Sequence, residues 1–121
     1  MLASLKGHAE VVKLLLKNKA DVNAANKEGT TTLMAASLKG HAEIAKLLLE
    51  NKADVNATNK NGSTALMVAS MEGHVEMVKL LLANKADVNA KDKDGDTALD
   101  FALAKGHTEI VDLLKKHKNG K

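Results

Sequence analysis

Five histidines, fifteen carboxylates and no cysteine bound the chemistry open to this chain of 121 residues. Imidazole and carboxylate groups are the common ligands of zinc and calcium, and a histidine beside an acid can activate a nucleophile. Four of the histidines, His8, His41, His74 and His107, each follow a glycine and recur at intervals of 33. If each falls on its own layer of a helical stack, neighbouring rings stand about 10 Å apart, one helix diameter. Zinc–nitrogen bonds are about 2 Å long, so two such rings cannot share an ion. His107 and His117 are closer in sequence, but no third ligand accompanies them. The acidic run Lys91-Asp92-Lys93-Asp94-Gly95-Asp96 faintly suggests a calcium loop. An EF-hand requires a glutamate at the twelfth position, and counted from Asp92 that position is Leu103. An exposed turn is the expectation there. No grouping of serine, histidine and acid recurs outside the 33-residue period, and no glycine-rich phosphate loop is present. Asn56-Ala57-Thr58 and Asn61-Gly62-Ser63 match the glycosylation acceptor pattern, but without a secretory signal they read as accidental. The expectation is a non-catalytic chain with no cofactor and no metal site.

Composition narrows the partners. The formal charge is +3 and all 18 basic residues are lysine, spread along the chain among acids. Arginine, the bidentate reader of phosphate and guanine, is missing, so nucleic acid is not an expected partner. No apolar run approaches the roughly 18 residues of a membrane span. The start, Met1-Leu2-Ala3-Ser4-Leu5-Lys6, lacks the apolar core of a signal peptide. A soluble intracellular or recombinant protein is the default reading. Phe101 is the only aromatic residue, so the core must be built from Leu, Val, Ile, Ala and Met in thin layers of short helices.

The elements that carry the histidines follow from the period. Leu-Leu-Leu recurs at 14–16, 47–49 and 80–82, and Ala-Asp-Val-Asn begins at Ala20, Ala53 and Ala86. Residues 25–57 and 58–90 are identical at 22 of 33 positions, which chance does not produce. In the third unit Thr64 is placed to cap the N-terminus of a helix running through Leu66, Met67, Ala69 and Ser70. Gly73 ends it, where a left-handed residue costs little. A second helix starts after His74, with Glu76 favourably placed in its first turn. Its apolar stripe is Val75, Val78, Leu81 and Leu82. It ends near Asn84-Lys85, and Asn61-Gly62 marks a tight turn. Helices of about ten residues are not stable alone, so each unit must bury its apolar faces against its neighbours.

These residues resemble the ankyrin repeat. The third unit carries the resemblance from Asn59-Lys60-Asn61-Gly62-Ser63-Thr64-Ala65-Leu66-Met67 through Gly73-His74-Val75-Glu76 to Lys79-Leu80-Leu81-Leu82 and Ala86-Asp87-Val88-Asn89-Ala90. The match spans essentially the whole chain. It implies an all-α ankyrin-repeat solenoid of paired antiparallel helices with projecting β-turns, and a role in protein–protein recognition. The family's T-P-L-H motif appears as Thr31-Thr32-Leu33-Met34, Thr64-Ala65-Leu66-Met67 and Thr97-Ala98-Leu99-Asp100, without its proline or histidine. The family glycine before A-D-V-N is replaced by Lys19, Lys52 and Lys85. Either these lysines keep a left-handed conformation at a cost of about 1 kcal/mol each, or Asn18, Asn51 and Asn84 take that role. Three identical departures point to copying, recent duplication or consensus design.

The period divides the chain into a truncated first unit at 1–24, units at 25–57 and 58–90, and a capping unit at 91–121. Terminal repeats must cover the stack with a polar face. Lys115 replaces Leu82 and Asp112 replaces Lys79, and residues 116–121 are expected as a solvated tail. At the other end Leu2, Leu5, Val11 and Leu14 read as interior residues with no preceding unit, so self-association through that end is expected. In the ankyrin family the turn tips and the exposed face of the first helices bind the partner. The matching turn positions are Lys27, Glu28, Thr30, Lys60, Asn61, Ser63, Lys93, Asp94 and Asp96. On the first helices they are Leu5, Lys6, Leu38, Lys39, Met71, Glu72, Ala104 and Lys105. Leu5, Leu38, Met71 and Ala104 form an apolar row that is either a binding groove or a support for the next unit's turn. Interface hot spots favour Trp, Tyr and Arg, and this surface has none. Two functions stay open: a protein-binding module with an unknown partner, or a consensus-type or engineered scaffold with no natural partner.

Overall fold

The computed structural model describes residues 21–120. Among these the protein is all-α, six helices arranged as three antiparallel pairs. The pairs are α1 (Thr32–Lys39) with α2 (Ala42–Glu50), α3 (Ala65–Glu72) with α4 (Val75–Ala83), and α5 (Ala98–Lys105) with α6 (Thr108–Gly120). The first helices α1, α3 and α5 stack on one another, the second helices form a parallel outer row, and the inner row is the more closely packed.

Each first helix begins and ends by the same chemistry. Thr31, Thr64 and Thr97 lie in extended backbone and accept the N–H of Met34 (3.2 Å), Met67 (3.3 Å) and Asp100 (3.2 Å). Each hydroxyl satisfies one of the orphan donors of a helix N-terminus. At Thr97 the box is reciprocal, because the Asp100 carboxylate accepts the Thr97 N–H at 2.9 Å. Gly40, Gly73 and Gly106 close the helices with φ of 73°, 78° and 73°.

The second helices stop differently. Lys52 and Lys85 adopt φ of 71° and 70°, whereas Asn51 and Asn84 sit at −101° and −104°. The left-handed position therefore belongs to lysine. The asparagines instead turn their side-chain amides onto the carbonyls of Leu47 (2.8 Å) and Leu80 (2.9 Å). Ala53 and Ala86 donate back to Leu48 and Leu81 at 3.0 Å, closing the turn around a side chain that prefers the other half of φ space.

The core is one continuous seam of Leu33, Ile44, Leu48, Leu66, Met67, Met77, Val78, Leu81, Ile110 and Leu114 with small alanines between the first helices. Lys116, His117 and Lys118 are exposed, as expected of a solvated tail, and they continue α6, which runs to Gly120. The polar cover lies along α6, where Asp112 and Lys115 are exposed. It does not extend to α5, where Leu103 is 54% exposed. Residues 1–20 of the unit expected at 1–24 fall outside the described residues, and with them Lys19 and the open face expected of Leu2, Leu5, Val11 and Leu14.

Candidate partner-binding surface

The projecting turns are built by one side chain each. Asn59 accepts the N–H groups of Asn61 and Ser63 at 2.9 and 3.0 Å on a single oxygen, and its own N–H donates to the Ser63 carbonyl. Asn26 makes the same pair of bonds to Glu28 and Thr30, and Asp92 to Asp94 and Asp96. A short acceptor two residues before the tip is thus the device that folds the loop locally.

Neighbouring turns are then tied backbone to backbone. The Lys60 N–H donates to the Glu28 carbonyl at 2.9 Å, and Lys93 to Asn61 at 3.0 Å. Gly29 and Gly62 permit this approach. A Cβ on either would stand 3.0 Å from the Asn59 Cα or 3.2 Å from the Asp92 Cα. A parallel ladder runs behind it. The Asp54 N–H donates to the Asn23 side chain at 2.7 Å and Asp87 to Asn56 at 2.8 Å.

The histidines form the third ladder. The His74 ring donates from Nε2 to the Leu38 carbonyl at 3.0 Å, and His107 does the same to Met71. Because a carbonyl only accepts, Nε2 carries the proton in both rings. Each ring also lies on the glycine of the preceding pair. A Cβ on Gly40 would meet His74 at 2.7 Å, and one on Gly73 would meet His107 at 2.8 Å. The Gly73-His74 dipeptide is therefore split between two contacts. The glycine receives the next ring, and the histidine occupies the glycine before it.

These ladders place most of the expected surface residues in neighbouring rows. Lys27, Glu28, Lys60, Asn61, Lys93 and Asp94 are exposed on the stacked tips, while Thr30, Ser63 and Asp96 are half-buried behind them. On the first helices Leu38, Lys39, Glu72, Ala104 and Lys105 are exposed and Met71 is half-buried. Leu5 and Lys6 lie outside the described residues. The Leu38 and Met71 carbonyls hold the next pair's histidine, and the Leu38 side chain remains 42% exposed.

The acidic turn brings Asp92, Asp94 and Asp96 oxygens within 4.8 Å of one another. One Asp92 oxygen is already committed to two backbone N–H groups. Partial desolvation, then the carboxylates of Asp92, Asp100 and Asp94, hold Asp96 above the ordinary range of its side chain. On the opposite side, Ala42, Glu43, Lys46, Glu76, Lys79 and Leu80 line a shallow groove between α2 and α4. The Glu76–Lys79 pair there, at 3.6 Å, is exposed and contributes little. Sequence reasoning missed this groove and the cross-pair ladders. The exact 33-residue recurrence of Gly-His and Asp-Val-Asn was the signal for the ladders, since contacts between units repeat with the unit.

A protein-family model described as ankyrin repeats (3 copies) matches residues 1–59 and 51–121. No curated protein matches the chain.

Proposed function

The chain belongs to the ankyrin repeat family, whose members are generally non-catalytic protein–protein interaction modules, and from that premise we propose that it binds a protein partner along its turn tips and first-helix face. The observation that carries this is the row of exposed Leu38, half-buried Met71 and exposed Ala104 running beside the stacked tips. Hydrogen bonds between pairs hold its backbone at Leu38 and Met71, so these side chains meet a partner at little ordering cost. Repeat boundaries at 25, 58 and 91 belong to the same reading, supported by the identical caps and turns in the described pairs.

The alternative, a consensus-type scaffold with no natural partner, is supported by near-identical units and by a surface without Trp, Tyr or Arg. Affinity capture from lysate, quantified against the double variant Leu38→Glu, Met71→Glu, separates the two. The module reading expects a specific partner retained by the parent chain and lost by the variant, with unchanged helicity. Retention of the same proteins by both chains sinks it. A second element of the proposal is self-association through the N-terminal residues Leu2, Leu5, Val11 and Leu14, which rests on sequence alone.

A further inference from the structure

We propose that the furrow between α4 and α6, on the outer row of helices, is a docking site for an acidic peptide segment of a partner protein, separate from the turn-tip surface.

Charge sets this furrow apart from its neighbour. Between α2 and α4 the lining is balanced, with Glu43 and Glu76 against Lys46 and Lys79. The next furrow holds a depression of about 310 Å³ lined by Lys79, Leu82, Leu113, Lys116 and His117, and no carboxylate of the described residues lines it. Leu82 is buried and Leu113 half-buried, while Lys79, Lys116 and His117 are exposed. Two leucines thus form an apolar floor inside a basic rim. Lys79 meets Glu76 at 3.6 Å, and Lys116 forms no ion pair with the described residues.

The basic rim arises where the repeat departs from itself. The position that is Glu50 in α2 and Ala83 in α4 becomes Lys116 in α6. The next position, Asn51 and Asn84 in the earlier pairs, becomes His117. The floor does not change, since Leu82 and Leu113 repeat Leu49 and Leu80. The two asparagines are spent on the carbonyls of Leu47 and Leu80. His117 instead lines both the larger depression and a smaller one, of about 170 Å³, beside Val88 and Lys118. Asp87 is the one acid among the residues lining the smaller depression, and its carboxylate already accepts the Asn89 N–H at 2.9 Å.

These features select the occupant. An apolar side chain laid on Leu82 and Leu113 leaves water, which supplies affinity. Carboxylates flanking that side chain meet Lys79 and Lys116, which supply orientation and a salt-dependent attraction. The Glu76 contact that a carboxylate displaces at Lys79 is exposed and contributes little. Nucleic acid fits less well. Single strands are held by stacking bases on aromatic rings, and the only aromatic residue, Phe101, lies on α5.

Titration of the isotope-labelled full chain with a short peptide of glutamate pairs alternating with leucines, followed by amide NMR shifts, tests the proposal. Binding is expected with a Kd of about 0.1–1 mM at low salt. The shifts should centre on Leu82, Leu113, Lys116 and His117, and binding should be about five-fold weaker at about 1 M ionic strength. Lys116→Glu and His117→Glu, each checked for unchanged helicity and melting, should weaken it at least about five-fold. Lys116→Gln should weaken it less, and it serves in place of any reversal that perturbs folding. Lys46→Glu in the neighbouring furrow, and the Leu38→Glu, Met71→Glu pair on the first helices, should leave it unchanged. Absence of shifts at about 2 mM peptide overturns the proposal. So does equal binding of a peptide with glutamine in place of glutamate, indifference to the changes at Lys116, or shifts centred on the turn tips. Tighter binding of oligothymidylate at the same residues assigns the furrow to nucleic acid instead.

Discussion

Gly73 and Gly106 close equivalent helices with nearly the same φ, 78° and 73°, yet they do different work. Gly73 lies under the His107 ring, with a hypothetical Cβ at 2.8 Å from it, while no atom of the other described residues lies within 4 Å of one on Gly106. The first glycine is required twice, once for its left-handed backbone and once for its missing side chain. The second is required only for its backbone. In a stack where each unit contacts only its neighbours, identical letters carry energies that depend on who comes next.

The sharpest way to break this comparison is to place the same methyl group on both glycines. Gly73→Ala should cost about 2 kcal/mol, combining left-handed strain with displacement of the His107 ring and its bond. Gly106→Ala should cost about 1 kcal/mol, the strain alone. Denaturant unfolding of the two variants measures the gap, and equal losses would mean that the ring contact contributes nothing. Next, His107→Ala should destabilise by about 1–2 kcal/mol through the lost bond to Met71. His117→Ala, on the exposed face of α6, should stay within about 0.5 kcal/mol of the parent. Chemical denaturation distinguishes a ladder histidine from a surface one.

A smaller effect has opposite signs in the two regions. Lys52→Gly and Lys85→Gly should each stabilise by about 0.5–1 kcal/mol, because glycine removes the left-handed penalty. Lys118 is one period beyond Lys85 but lies within α6, where Lys118→Gly should destabilise by a few tenths of a kcal/mol, about 0.3 near a fraying end. Melting temperatures that rise for the first two and fall for the third confirm the contrast. The smallest effect is at the acidic turn. Asp96 is held above its ordinary pKa, so its charged form is disfavoured by folding at neutral pH. Asp96→Ser, which copies Ser63 of the neighbouring turn, should stabilise the protein at pH 7. That advantage should shrink as pH falls through the raised pKa and vanish below the ordinary aspartate value. Melting curves from pH 7 to about pH 3 read it directly.

Much of the architecture was legible in the residues. Thr64 and Gly73 marked the ends of α3, His74 and Asn84 bracketed α4, and Asn61-Gly62 located the turn, because caps and turns are chosen by backbone conformations within a few residues. The partner surface was legible as positions, through the resemblance, but not as exposure. The half-burial of Met71 beside the exposed Leu38 depends on what packs against each. The expected tail is solvated at residues 116–118, and its helical conformation was not read from the sequence. His117 stands where Asn51 and Asn84 turn their side-chain amides onto the earlier second helices, so that stop signal is missing and α6 runs on through Lys118.

By itself the sequence determined the period, the helix pairs with their caps, the lysine-only basic surface and the absence of any cysteine chemistry. All of these are properties of residues or of short spans, and they recur because the spans recur. Only the tertiary structure decided that Lys52 and Lys85, not the asparagines beside them, take the left-handed turn, and that His74 and His107 each lie on the glycine 34 residues before them. It also decided that the polar cover of the last pair stops at α6 and leaves Leu103 bare. Those outcomes depend on atoms brought together from different units, and a local reading of 33 residues does not contain its neighbour.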